Sequence, residues 1–147
     1  MIREADAVWT DGTYSGKGSV SVTSGVLNRT RYVFGIAETG GATSPGELLA
    51  AAIASSVSAT VARKMTELGA HPAAIDTHAR VALSNLDQNW RISSVHLEIT
   101  AQARDSENAR FAEAVEFARR ECPIASELNL DVSCTTRLVP LGTAVAV

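Results

Sequence analysis

The stretch TSPGELLAAAIASSVSATVARKMTELG, residues 43–69, holds no proline or glycine between Glu47 and Leu68. Ser44 is a good helix N-cap, and Pro45 suits the first helical position because it has no N–H to leave unpaired. Gly69 is a natural C-terminal stop. At 3.6 residues per turn the run predicts about six turns of helix. From Leu48 to Val57 nearly every residue is small or apolar. A helix apolar on all sides is expected at the centre of a fold. Its length and its serines argue against a membrane span.

Working outward, the N-terminal side punctuates like β-structure. DGT (11–13) and SGKG (15–18) are turn chemistry around Tyr14, and Val20 and Val22 alternate with Ser19, Ser21 and Thr23. That period of two predicts a half-buried strand. Arg31 to Ile36 predicts a second, short strand, and the glycine-rich ETGGATSPG is loop. On the C-terminal side, Ile75–Leu86 and Ile92–Ala103 both alternate, with a hairpin expected near Asp87–Trp90. A second helix is expected from Ser106 to about Arg120, where Phe111, Ala114, Val115 and Ala118 form an apolar stripe. Pro123 starts a short third helix through Leu128, and Leu130 to Leu138 alternate as a last strand. The order β-β-helix-β-β-helix-helix-β is an α+β arrangement.

Composition sets broad limits. The chain has 147 residues, a single-domain length, with 46% hydrophobic and 20% charged residues, as in a globular protein. A formal net charge of -3 and the lack of a basic run exclude an electrostatic footprint for nucleic acid or an anionic membrane. The N-terminus MIREADAVWT has no apolar core of a signal peptide, which points to the cytoplasm. Cys122 and Cys134 are too few for a disulfide framework and lack the partners of a zinc site. His71, His78 and His96 are scattered, so neither a metal nor a cofactor is expected. The loop GGATSPG lacks the lysine and spacing of a phosphate-binding loop.

Several segments, taken in order, resemble the OsmC / organic hydroperoxide resistance family. They are Trp9, GKGSVSVTSGVLN (16–28), Tyr32-Val33-Phe34, TSPGELLAAAIASS (43–56), IDTHARVAL (75–83) and ECPIASELNLDVS (121–133). The resemblance covers roughly residues 7–139, and the whole chain, 1–147, is expected to be one OsmC-like domain. It implies an intertwined homodimer in which antiparallel sheets wrap a long central helix, with active sites at the dimer interface. It also implies reduction of organic hydroperoxides by a cysteine pair and a thiol reductant, in oxidative or osmotic stress defence. The family places its reactive cysteine on the central helix and its resolving cysteine in a CPxS segment. A glutamate and an arginine hold the reactive thiolate.

Carried over residue by residue, the match is uneven. Cys122 stands at the resolving position, but Ser56 stands at the peroxidatic one. Gly46 follows Pro45, and Glu47 is one place further, a rotation of ~100° about the helix axis. Ile36 and Ala37 lie where the arginine is expected, with Lys17, Arg29 and Arg31 the nearest cations in sequence. A hydroxyl cannot become a sulfenic acid, and as a hydrolase nucleophile Ser56 lacks a recognisable general-base motif. Ser56 is therefore read as a packing or hydrogen-bonding residue. Cys122, placed before Pro123 at an expected helix N-terminus, would gain from the helix dipole. Buried inert cysteines are nevertheless common, and Cys134 reads as core filler. Three readings stay open: a member that has lost two-cysteine turnover and keeps a pocket for a small apolar ligand, a one-cysteine peroxidase using Cys122, and an artificial serine at position 56. Gly46 and the absent arginine count against the last.

Overall fold

The computed structural model describes residues 1–12, 17–34, 40–87, 89–128 and 131–143. It divides the chain into two compact units, residues 1–48 and 49–147. The elements are β1 (Ala5–Thr10), β2 (Lys17–Val22), β3 (Thr30–Tyr32), α1 (Pro45–Glu67), β4 (Ala74–Leu86), β5 (Asn89–Gln102), α2 (Asn108–Glu121) and β6 (Val132–Val139), with a 3-10 turn at Asp105–Glu107 before α2.

In the first unit β1, β2 and β3 form an antiparallel sheet in that order. β1 was not among the expected strands: two of its six residues are alanine and all six are exposed, so its alternation is faint. Trp9, Gly18 and Tyr32 lie in register across the three strands. A Cβ on Gly18 would come within 2.4 Å of the Tyr32 ring, so only glycine lets the tyrosine lie across β2. Trp9 packs 5.5 Å from Tyr32 between ring centroids and donates its indole N–H to the Gly12 carbonyl at 2.7 Å. β3 ends at Tyr32, short of the expected strand, whose last residues 35 and 36 lie outside the described residues. So does the first half of the expected SGKG turn, while Lys17 and Gly18 already belong to β2. Thr43 donates its N–H to Arg31 O (2.9 Å) and accepts that of Val33 (2.8 Å), which fixes the chain just before α1 begins.

The second unit has a mixed sheet, β4-β5-β6. β4 and β5 form the expected antiparallel hairpin, and β6 lies parallel to β5 after the α2 crossover. A bulge between Ala82 and Leu83 in the β4 ladder pairs Ala82 with Ser94 but Leu83 with Ile92. Ser93 is thus the extra residue, and its insertion keeps Ile92 on the face of Val95 despite their odd separation. Val95, Leu97, Ile99 and Ala101 form the sheet side of the core, against Ile53, Val57, Val61 and Met65 of α1 and Phe111, Ala114, Val115 and Ala118 of α2. Each large aliphatic side chain fully buried there contributes about 1.5–3 kcal/mol.

α1 starts and stops as expected. After Glu67, the Gly69 N–H meets the Thr66 carbonyl and the Ala70 N–H meets that of Met65, a Schellman closure with Gly69 at φ +78°. Its burial differs from expectation. Within one chain only the stripe Ile53, Val57, Thr60, Val61 and Met65 is buried, while Ala51, Ser55 and Ala59 are exposed. By length and composition the helix could also cross a bilayer, contrary to the reading from its serines. Its 23 residues span about 34 Å, and interior alanines offset the polar residues.

The expected third helix does not form. Residues 123–128 are turns, with one helical-type bond from Ser126 N–H to Cys122 O at 3.0 Å. Pro123 supplies no N–H, and the Ser126 hydroxyl also takes the Cys122 carbonyl, at 2.7 Å.

Candidate functional site

Ser56 lies beside the buried stripe of α1, next to Val57 and one turn before Thr60. The Thr60 hydroxyl donates to the Ser56 carbonyl at 2.8 Å, while the Ser56 hydroxyl points away from the helix backbone. It meets Cys122, whose side chain is fully buried at the end of α2. Ser56 Oγ and Cys122 Sγ are 3.1 Å apart, within hydrogen-bond reach, and either can donate. The fold has brought together two residues 66 positions apart, at the positions where the family resemblance expects its two cysteines.

The electrostatic setting of Cys122 is opposite to expectation. With no helix after it, Cys122 is the C-cap of α2, and its N–H donates to Ala118 O. The carbonyl end of a helix carries the negative end of the dipole and gives no support to an anion. Among the described residues the sulfur's polar partner is the neutral Ser56 hydroxyl. Cys134 is half-buried against the core, and that burial pushes its thiol above the ordinary cysteine value, only partly opposed by Arg119.

Glu47 is engaged elsewhere. Its carboxylate accepts the Ser44 N–H at 3.1 Å and the Thr43 hydroxyl at 3.0 Å, while its own N–H donates to Ser44 Oγ at 3.2 Å. This is a complete capping box, and Ser44 with Glu47 three places on was its sequence signal. Because a carboxylate already occupies this helix start, the loop before it is no anion cradle.

Two polar groupings escaped sequence reading. His96 Nδ1 lies 2.8 Å from Ser133 Oγ, and its Nε2 lies 3.2 Å from Thr135 Oγ1. With a hydroxyl rather than a carboxylate on the second nitrogen, this is a brace between β5 and β6 and not a hydrolase dyad. Glu107 is buried, 4% exposed, and accepts backbone N–H groups from His71 (3.1 Å) and Arg104 (3.0 Å). Those two bonds hold its carboxyl below the ordinary glutamate value, with burial opposing them. The Arg104 bond could have been suspected from a glutamate at the third position of a helix start; the His71 bond is long-range and had no local signal.

The family model of OsmC-like proteins matches residues 38–137. The peroxiredoxin OsmC of Escherichia coli K12 is 30% identical over 137 residues, covering 92% of this chain and 96% of that protein. The organic hydroperoxide resistance protein OhrB of Bacillus subtilis superposes with a TM-score of 0.69 at 23% identity, covering 92% and 98% of the two chains. An OsmC-like protein of unknown function from Vibrio cholerae superposes with a TM-score of 0.75 at 13% identity, covering 92% and 99%. An α+β chain with two sheets and a long helix is of the OsmC/Ohr class. The chain belongs to the OsmC-like family.

Proposed function

We propose that this chain is a cytoplasmic, homodimeric member of the hydroperoxide stress defence that has lost two-cysteine catalysis at Ser56. The observation that carries this reading is the 3.1 Å approach of Ser56 Oγ to Cys122 Sγ. In a two-thiol cycle one thiolate attacks the peroxide O–O bond and becomes a sulfenic acid as the alcohol leaves. The second thiol attacks that sulfur, water leaves and a disulfide forms; an external thiol reductant returns two electrons. A serine can take neither sulfur role. Cys122 alone is a poor substitute, being buried at the carbonyl end of α2. On this reading the retained role is binding a small apolar ligand at the dimer interface. The exposed Ala51, Ser55 and Ala59, small residues four apart along α1, support burial against a second copy, and chain 1–147 is read as one OsmC-like domain.

The test is consumption of cumene hydroperoxide with dithiothreitol by the native chain, Cys122→Ser and Ser56→Cys. The native chain is expected to show no turnover above the reductant background. Ser56→Cys is expected to lose the mass of two hydrogen atoms as it joins Cys122 on peroxide treatment, the two electrons passing to the peroxide. Native turnover that disappears in Cys122→Ser would establish a one-cysteine peroxidase and overturn the reading.

A further inference from the structure

We propose that Glu107 is a positioning residue for the Ser56–Cys122 pair, holding α1 and α2 in the register that brings hydroxyl and sulfur together. This rests on the reading of that pair given above. Three cross-contacts define how the helices run. Ser56 meets Cys122, Lys64 and Arg63 lie over the Phe117 ring at 4.8 and 5.7 Å, and the turn after α1 at His71 meets Glu107. Residue numbers rise along one segment as they fall along the other, so α1 and α2 are antiparallel. Fifteen positions separate Ser56 from His71, and the same number separates Glu107 from Cys122. The pair is thus fastened by a polar contact at each end of two matched spans, each on the order of 20 Å at a helical rise.

Between those ends the buried residues are Val57, Val61 and Met65 on α1 and Phe111, Ala114, Val115 and Ala118 on α2. Apolar contact of this kind is non-directional, so its hold on register comes from side-chain interdigitation alone. A carboxylate accepting two N–H groups is directional, and charge-assisted bonds are roughly twice as strong as neutral ones. Glu107 takes His71 on Oε1 and Arg104 on Oε2, so one buried side chain ties the turn after α1 to the turn that starts α2. At the far end an ångström of slide would separate two atoms now 3.1 Å apart. Glu107 touches neither Ser56 nor Cys122; it acts through the register of the helices that carry them.

The experiment uses the full chain with Ser56→Cys and Cys134→Ser, equilibrated in glutathione buffers. Oxidised glutathione takes two electrons and two protons from the paired thiols and leaves as two reduced molecules, so the equilibrium measures the effective concentration of one thiol at the other. Adding Glu107→Gln is expected to lower that concentration about tenfold, the scale of one lost charge-assisted hydrogen bond. Val139→Ala, at a buried site on β6, is expected to lower the thermal midpoint while leaving the equilibrium within about twofold. If Glu107→Gln does not fold, Glu107→Asp keeps the charge, shortens the reach and is expected to give a smaller loss in the same direction. A lowered midpoint with an unchanged thiol equilibrium in the Glu107 variant overturns the positioning role and leaves the Ser56–Cys122 reading intact. Failure to form any disulfide with Glu107 in place overturns both.

Discussion

Glu47 and Glu107 each sit three residues into a helix start and each accept a backbone N–H there, yet their settings differ. Glu47 is exposed, and its partners among the described residues lie within four residues, at Thr43 and Ser44. Glu107 is buried and joins its own turn to His71, 36 residues away in sequence. Both relieve unpaired N–H groups, which a helix start always carries. Water could replace Glu47 at its site. At Glu107 it has little access, so removing the carboxylate leaves backbone donors without partners.

That contrast can be broken or sharpened by four measurements, from the largest expected effect to the smallest. Glu107→Ala is expected to cause the greatest fall in thermal midpoint, clearly larger than that of any change at the first helix start. A midpoint close to native would show that burial adds nothing to the clasp. The second measurement is stability against pH. Because the folded carboxyl of Glu107 titrates below its ordinary range, its contribution is full above that range and is lost as pH falls through the depressed folded value. Denaturant midpoints between neutral pH and pH ~3 should therefore fall less in Glu107→Gln than in the native chain; parallel curves would contradict the linkage.

Third, Ser44→Ala removes the side-chain acceptor of the first capping box and is expected to cost about 1 kcal/mol, read by urea unfolding. Smallest of all, Glu47→Gln keeps an acceptor and loses only charge at an exposed helix start, for under ~0.5 kcal/mol. A Glu47→Gln loss as large as that of Glu107→Ala would erase the distinction between the two sites.

What the sequence made legible follows from the range of each signal. The start and stop of α1 rest on Ser44, Pro45 and Gly69, whose preferences act within a turn of helix, and they hold in the structure. The α2 stripe is equally local and all four of its residues are buried. The bulge at Ser93 was present in the broken alternation of ISSV but needed the partner strand to be placed. The third helix failed for a local reason that Pro123 had masked: a proline that suits a helix start also follows a helix end, and here α2 had only just finished.

By itself the sequence determined the two long helices, the β4–β5 hairpin, the family and the serine at position 56, because capping, periodicity and side-chain chemistry belong to individual residues and their near neighbours. Only the tertiary structure decided that Ser56 and Cys122 touch, that Cys122 ends a helix rather than starting one, and that Glu107 reaches His71. Those facts depend on how helices far apart in sequence are docked, and non-directional apolar packing leaves that register unstated in any local pattern.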